Sequence, residues 1–193
     1  MAETRDPTRM ELPHSERLRF RPLTENDVDN LLQIFGDPVA MEFWPGTQTR
    51  DEMVPRIKWA QDCYRELGYG LWAVELEVTG EFVGRVGLIP QQGIAGRDEV
   101  EVGYALVPRF WHQGLATEAA AACLDYAFEI VELPRVVALI RPENLPSRHV
   151  AERLGMRIER RIDWQGMPHD VHVSEAPRTP GRRTRRPTTQ RHT

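Results

Sequence analysis

One segment of the chain, EVGYALVPRFWHQGLATEAA (101–120), passes from a strand pattern to a helix pattern across a short loop. Amide groups at the start of a helix lack intrahelical partners and lie at the positive end of its dipole. Such a turn can therefore hold a phosphate or diphosphate group. Gly114 in the loop would let the backbone approach the anion without an intervening Cβ. On local grounds alone, an ordinary helix start is the alternative.

Hydrophobic periodicity predicts the elements that position this turn. Alternating apolar residues indicate strands, and apolar faces with a 3.6-residue period indicate helices. Thr24 and Asp27 resemble a capping box, and Ser147 is the predicted N-cap of the last helix. The predicted strands cover residues 17–23, 71–76, 82–89, 100–107, 134–140, 156–162 and 171–173, and the predicted helices cover residues 24–36, 49–68, 115–130 and 147–155.

The order of these elements indicates the fold class. One strand and two helices precede a hairpin that turns at residues 78–81. A glycine-containing loop at residues 90–98 leads to a third long strand, and strand–helix–strand units follow. Hairpins followed by such units favour an α/β (α+β) domain with a central mixed, mostly antiparallel sheet and about four flanking helices.

Composition favours one soluble domain with an extension at each end. The chain has 193 residues, of which 40% are hydrophobic and 28% charged, and this suits a single core. Residues 1–13 are predicted to be a flexible arm, residues 14–175 the domain, and residues 176–193 a basic disordered tail. No apolar run approaches the roughly 20 residues of a membrane span, and the first residues do not resemble a secretory signal. The expected location is the cytoplasm.

Charge is distributed unequally along the chain. All 29 acidic residues lie at or before Glu175, so the part before the tail has a net charge of −10, whereas the last 18 residues hold six arginines. An acidic body argues against duplex nucleic acid as the main ligand and is compatible with an amine acceptor. The tail is either a solvated extension or a weak anchor for RNA, the ribosome or another acidic partner.

The cysteines and histidines show no metal-site pattern. Cys63 and Cys123 are far apart, outside any C-x-x-C spacing, and are predicted to be reduced core thiols. His169 and His172 have no third ligand near them in sequence, so no metal ion is expected.

Two motifs together resemble a known family. The segment from Trp111 to Ala116 resembles the Q/R-x-x-G-x-G/A pyrophosphate loop of the GNAT N-acetyltransferases. ENLPSRHVAERLGM at residues 143–156 resembles the N-x-x-S segment of their RimJ/RimL-type branch, and the similarity covers about residues 12–173. The chain departs from the pattern at Trp111 and His112. It also has SEAPRTPG where the final strand usually continues with hydrophobic residues, which puts the C-terminal edge of the sheet in question.

The resemblance implies an acetyl-CoA enzyme with a GNAT-like fold, in which two central strands splay apart. It places the backbone of Ala105, Leu106 and Val107 along the pantetheine arm. Arg109 or Arg148 would either reach the outer phosphate or be solvated surface charges. The implied diphosphate-binding residues are His112, Gln113, Gly114, Leu115, Ala116 and Thr117, with Asn144 and Ser147 as further cofactor contacts.

In this family the amine attacks the thioester directly, so the site needs a base and a donor to the departing sulfur. At pH 7 roughly a tenth to a fifth of an α-amino group is neutral, against less than about 0.1% of a lysine. An N-terminal amine therefore needs less help from a base. Glu101 is the candidate base, directly or through a water, and a solvent-facing strand residue is the alternative. Ser147 is the candidate donor.

The resemblance also points to Phe43 and Trp44 as an apolar wall of the acceptor site, with core packing as the alternative. The expected function is acetyl transfer to a primary amine, either a protein N-terminal α-amine or a small molecule, by a monomer or homodimer. Two other functions stay open. The altered C-terminal edge suggests a non-catalytic acyl-CoA-binding module, and the arginine-rich tail suggests a ribosome- or RNA-associating protein.

Overall fold

The computed structural model describes residues 11–177, so most of the predicted tail and most of the predicted N-terminal arm lie outside the described residues. Within this range seven strands form one sheet, and four α-helices accompany it. The strands are β1 (Leu18–Pro22), β2 (Leu71–Leu76), β3 (Phe82–Ile94), β4 (Arg97–Leu106), β5 (Arg135–Ile140), β6 (Arg157–Trp164) and β7 (Met167–Glu175), and the helices are α1 (Val28–Phe35), α2 (Arg50–Leu67), α3 (Leu115–Glu129) and α4 (Leu145–Arg153).

The sheet has the order β1-β2-β3-β4-β5-β7-β6, and every neighbouring pair except β4–β5 is antiparallel. This confirms the predicted mixed, mostly antiparallel sheet with four helices. Strands β4 and β5 share a single register pair, Glu101 with Val137. Beyond that pair the sheet opens, which gives it the splayed strands expected at its centre.

Two of the predicted strand boundaries are wrong. The predicted loop at residues 90–98 belongs mostly to the hairpin of β3 and β4, which extends to a turn between Ile94 and Arg97. The last strand covers nine residues instead of three and pairs with β5 on one side and β6 on the other. The C-terminal strand is therefore an interior strand, and β6 forms that edge of the sheet.

Helix starts follow their capping residues. The carboxylate of Asp27 accepts a hydrogen bond from the Thr24 amide at 2.9 Å, as predicted, although the capped turn is a short 3₁₀ turn (Glu25–Asp27) before α1. The prediction that Ser147 caps α4 is wrong. Asn144 is the N-cap, and its Oδ1 accepts from the Ser147 amide at 3.1 Å, because an Asn side chain reaches the amide three residues on.

The core lies on both sides of β2–β4 and beneath α3. Trp72 on β2 is fully buried and contacts the rings of Phe20, Tyr64 and Tyr126. Cys63 and Cys123 are buried and unpaired by any disulfide, as predicted, and burial raises the pKa of the Cys63 thiol to about 11. A second, smaller cluster contains Ile94, Val137, Val171 and Val173 beside β5 and β7.

Asp27 should make the largest single electrostatic contribution to the stability of this part of the fold. It is 2% exposed and accepts two hydrogen bonds from Arg21, both at 2.7 Å. Burial by itself would raise its pKa, but the bonds from Arg21, Thr24 and Asn30 hold the pKa at about 2. We expect Asp27→Asn to lower the free energy of unfolding by about 2 kcal/mol at pH 7, measured by urea denaturation.

Because the folded-state pKa of Asp27 lies below its ordinary value, its contribution is present above pH 4 and is lost as the pH falls towards 2. The difference in free energy of unfolding between wild type and Asp27→Asn should therefore decrease as the pH falls from 4 towards 2. Asp29 is the matched control, since it pairs with Arg50 on the surface. Asp29→Asn should lower the free energy of unfolding by less than about 0.5 kcal/mol. Equal losses for the two variants would contradict the assignment.

Candidate active site

The opening between β4 and β5 is the starting point of the site. One cavity of about 560 Å³ runs along the exposed part of β4 and is lined there by Tyr104, Ala105 and Leu106. A second cavity of about 660 Å³ is lined by residues of both strands, among them Gly103 and Leu139. The gap in the sheet therefore gives access to the backbone of β4 where a regular sheet would hide it.

The turn that follows β4 has the geometry of an anion site. A 3₁₀ turn (Pro108–Phe110) leads to Trp111, whose indole Nε1 donates to the Leu106 carbonyl at 2.9 Å. His112 and Gly114 both have left-handed backbones, with φ of +60° and +77°, and Gly114 is the N-cap of α3. Within residues 11–177 the amides from His112 to Thr117 find no hydrogen-bond acceptor. Their donors are available to a ligand.

The side chain of Thr117 gives an independent indication of a ligand. Its Oγ1 is buried and has no hydrogen-bond partner among the described residues, and it lies beside the 560 Å³ cavity in the first turn of α3. A buried hydroxyl without a partner is costly in an empty protein. It fits an oxygen-rich anion that also accepts from the free amides of the turn.

The turn is braced from the N-terminal segment. Arg17 donates from Nε to Glu118 at 2.5 Å and from Nη1 to the Gln113 carbonyl at 3.2 Å. Ser15 also donates to Glu118, at 2.5 Å. These bonds tie the start of β1 to the first turn of α3 and hold the turn in one conformation.

Four residues named from the sequence lie away from both cavities. Val107 is buried in the core, and its amide donates to the Val83 carbonyl. The side chain of Gln113 folds back to the Arg109 carbonyl. Arg109 is paired with Glu81, and Arg148 donates to the Pro142 carbonyl. The structure brings the other predicted cofactor residues, Ala105, Leu106, His112, Gly114, Leu115, Ala116, Thr117, Asn144 and Ser147, to the 560 Å³ cavity.

Glu101 lies at the point where β4 and β5 part. It is partly buried, and its carboxylate accepts from Gln91 Nε2 at 2.5 Å and from the Leu139 amide of β5 at 3.3 Å. Burial raises the pKa of Glu101 to about 7, although these hydrogen bonds and the charge of Arg85 favour the ionised form. A carboxylate with this pKa beside a cavity can take up a proton at neutral pH.

The two cavities meet at a small group of shared residues. Tyr104, Asn144 and Ser147 line both cavities, as do Phe43 and Trp44. The Tyr104 hydroxyl donates to the Ser147 carbonyl at 3.1 Å, which joins β4 to α4. Phe43 is partly buried, and Trp44 is 40% exposed and packs its ring edge-on against Phe35. A molecule in one cavity would thus touch a molecule in the other at this junction.

Comparison with known proteins identifies the family. Residues 17–157 match the acetyltransferase (GNAT) domain. The uncharacterized protein YkkB of Bacillus subtilis is 36% identical over 159 residues, which covers 82% of this chain and 92% of YkkB. The chain belongs to the GNAT acetyltransferase family.

Further relatives agree with this assignment. The uncharacterized N-acetyltransferase p20 of Bacillus licheniformis is 31% identical over 154 residues, covering 78% of this chain and 84% of p20. The crystal structure of an acetyltransferase from Agrobacterium tumefaciens matches with a TM-score of 0.74 and 26% identity over 84% of this chain and 92% of that one. RimL- and RimJ-type proteins solved with coenzyme A or its disulfide share the fold at 20–23% identity.

Two residues at the site of this acetyltransferase were not named from the sequence. Tyr104 lies inside the strand segment that contains Glu101, but its contact with α4 depends on the opening of the sheet. Arg85 lies on β3 opposite Ala105 and faces the 660 Å³ cavity. An arginine in the middle of the buried first half of β3 is the signal that could have identified it.

Among residues 11–177, no three His, Cys, Asp or Glu side chains are grouped closely enough to hold a metal ion. No helix in the same range combines the length and the apolar character of a membrane span.

Proposed function

We propose that this GNAT protein transfers the acetyl group of acetyl-CoA to a primary amine, which is either a protein N-terminal α-amine or a small-molecule amine, by direct attack. The observation on which the proposal rests is the meeting of the two cavities at Tyr104, Asn144 and Ser147. One cavity has the anion turn at its far end, and the other has a carboxylate with a pKa near 7.

The 560 Å³ cavity suits acetyl-CoA, which would supply an acetyl group activated as a thioester. The free amides from His112 to Thr117 and the unpartnered Thr117 Oγ1 would bind the diphosphate. Ala105 and Leu106 would pair their backbone with the pantetheine arm, because β5 has left them unpaired on that side. Val107 is not assigned a contact, since its amide donates to the Val83 carbonyl. Gln113 is assigned only through its backbone amide, because its side chain donates to the Arg109 carbonyl.

Glu101 is the proposed base. A carboxylate oxygen of Glu101 would accept the proton of the ammonium form, directly or through a water, and leave a neutral amine. A pKa near 7 leaves about half of the carboxylate free to do this at neutral pH. Gln91 and the Leu139 amide keep the carboxylate aimed into the gap between the strands.

Two hydroxyl groups at the junction of the cavities can donate a hydrogen bond to the departing thiolate of CoA. Ser147 lines the cavity beside the Tyr104 hydroxyl, so its own hydroxyl can donate towards the cavity. Burial raises the pKa of Tyr104 to about 12, so its hydroxyl stays protonated at neutral pH. Phe43 and Trp44 would exclude water from the same place and form the apolar wall of the acceptor site.

The complete β7 removes the reason for expecting a non-catalytic acyl-CoA-binding module, because that expectation rested on an altered final strand. The direct test is thiol release from acetyl-CoA with a panel of small amines and peptides that have free N-termini. We expect acceptor-dependent release from at least one class. Binding of CoA without turnover on any acceptor of a broad panel would refute the enzymatic proposal.

Replacement of Thr117 tests the cofactor site. We expect Thr117→Val to raise the KM for acetyl-CoA about three- to tenfold, the effect of one lost hydrogen bond, whereas Thr117→Ser should stay within twofold of wild type. The unliganded Thr117→Val protein should melt no lower than wild type, because Oγ1 has no partner to lose. A lower melting temperature with an unchanged KM would show that the hydroxyl is structural.

A further inference from the structure

The wall of the 660 Å³ cavity contains a buried guanidinium, that of Arg85, with no hydrogen-bond or ion-pair partner among the described residues. Arg85 is 8% exposed, and it forms no hydrogen bond or ion pair with any residue in the range 11–177. Its guanidinium lies over the ring of Phe35, with Cζ 4.6 Å from the ring centroid. A guanidinium has five donors, and burying them unpaired is unfavourable. Arg85 therefore has donors available to something that enters the cavity.

A second positive charge close to Arg85 makes the binding of an anion there more favourable. Arg56 on α2 approaches the same Phe35 ring, 5.8 Å from its centroid, and also lines the cavity. Burial and the charge of Arg56 lower the pKa of Arg85 to about 10, so Arg85 remains charged at neutral pH. Two like charges thus border the same space, and an anion between them would relieve both the repulsion and the desolvation.

The acidic residues of this cavity compensate these charges only in part: Glu101 acts on Arg85 and Glu52 on Arg56 through their charges, but neither carboxylate forms an ion pair with either guanidinium. Glu52 accepts hydrogen bonds from the amide and hydroxyl of Thr49 at the start of α2. Glu101 is occupied by Gln91 and the Leu139 amide. Arg141 adds a third guanidinium to the lining, and its Nε forms an ion pair at 3.6 Å with Glu143, which does not line the cavity. The inner wall is therefore cationic, although the body of the chain is acidic overall.

We propose that the acetyl acceptor is a primary amine that carries a carboxylate or phosphate group, and that Arg85 binds this anionic group. The inference rests on the proposed acetyl transfer and specifies its acceptor. Trp44, Trp59 and Trp164 line the same cavity and favour an acceptor with an apolar body. A polyamine would place further positive charge against Arg85 and Arg56, so polycationic acceptors are disfavoured.

The experiment compares kcat/KM for acceptors that differ in their anion. Phenylalanine carries a carboxylate and 2-phenylethylamine is the same molecule without it. O-phosphoethanolamine tests a phosphate, and spermidine tests a polycation. We expect phenylalanine to exceed 2-phenylethylamine by about ten- to hundredfold, the range for one charge-assisted contact, and spermidine to be the poorest acceptor. A phosphate preference would assign the pocket to phosphorylated amines. Equal or better turnover of 2-phenylethylamine and spermidine would overturn the proposal.

Substitutions of Arg85 test whether its guanidinium causes the preference for anionic acceptors. Arg85→Met should reduce the ratio of kcat/KM for the preferred anionic acceptor over its uncharged counterpart about tenfold or more, and Arg85→Lys should restore part of it. Arg56→Met gives a second measurement if Arg85→Met does not fold, and we expect a smaller fall in the same ratio. Lys58→Met is the matched control, because Lys58 is exposed on α2 outside both cavities. A ratio that is unchanged in Arg85→Met and Arg56→Met would overturn the assignment.

Failure of this inference is distinguishable from failure of the proposed function. If amines are acetylated without any preference for an anion, the acetyltransferase proposal stands and the acceptor class is wrong. If no amine is acetylated, both fail together, and direct titration of the protein with acetyl-CoA then reports whether the cofactor site itself exists.

Discussion

Glu101→Gln should lower kcat/KM at pH 7 by on the order of a hundredfold, as expected for the loss of a general base. Glutamine keeps the size of the side chain and can still accept from the Leu139 amide, so the gap between β4 and β5 should remain. In wild type, kcat/KM should rise with pH and level off above about 7, where Glu101 is ionised. The variant should lose this inflection.

Two controls separate the base from other titrating groups. Acceptors with different amine pKa values should shift the part of the profile that belongs to the amine and leave the inflection near 7 in place. Stability provides the second control. The folded-state pKa of Glu101 lies above its ordinary value, so its ionisation between about pH 4.5 and 7 disfavours folding. Glu101→Gln should therefore melt no lower than wild type at pH 8. Full activity of the variant at pH 7 would exclude Glu101 as the base.

Gly114→Val should weaken CoA binding by on the order of a hundredfold, measured by titration of the purified protein. The residue has φ of +77°, where a β-branched side chain is strained. To relieve that strain the backbone must rotate, and this would turn the free amides of the loop away from a bound diphosphate. We also expect a loss of about 1–2 kcal/mol in stability from the strain alone.

Gly80 provides a closely matched control for Gly114. It has φ of +69°, and an added Cβ would lie 3.8 Å from an Arg19 guanidinium nitrogen, as a Cβ at Gly114 would lie 3.6 Å from one of Arg17. Gly80 lies in the β2–β3 turn, away from both cavities. Gly80→Val should therefore show a similar loss of stability with CoA affinity within twofold of wild type. Similar CoA affinities in the two variants would contradict the assignment of the turn.

Much of the fold follows from local sequence. The capping residues Thr24 and Thr49 and the terminating Gly68 mark helix boundaries that the structure reproduces. The alanine-rich α3 begins one residue after Gly114, where the pattern changes. Short apolar or alternating segments indicated all seven strands, although only three of the nine residues of β7 were predicted.

The errors arose where partners distant in sequence decide the outcome. The length of β7 depends on β5 and β6, which pair with it on both sides, and its own residues after Val173 are not apolar. The cap of α4 is an exception with a local cause: Ser147 and Asn144 are both good capping residues, and the Asn144 side chain caps the helix three residues earlier. The sequence of β3 shows only that Arg85 interrupts an apolar segment. Its role depends on Phe35 of α1 and Arg56 of α2, which the fold places beside it.

The single register pair between β4 and β5 has a consequence for the motions of the protein. Four strands lie on one side of that pair and three on the other, and Val137, Val171 and Val173 of the three-stranded side form a small apolar cluster with Ile94 of β3. The two halves should therefore behave as separate cooperative units in hydrogen exchange, with β5–β7–β6 opening at lower free energy than β1–β4. A ligand that bridges the gap would couple the two units, so exchange protection of β5 should rise with ligand concentration more than that of β2.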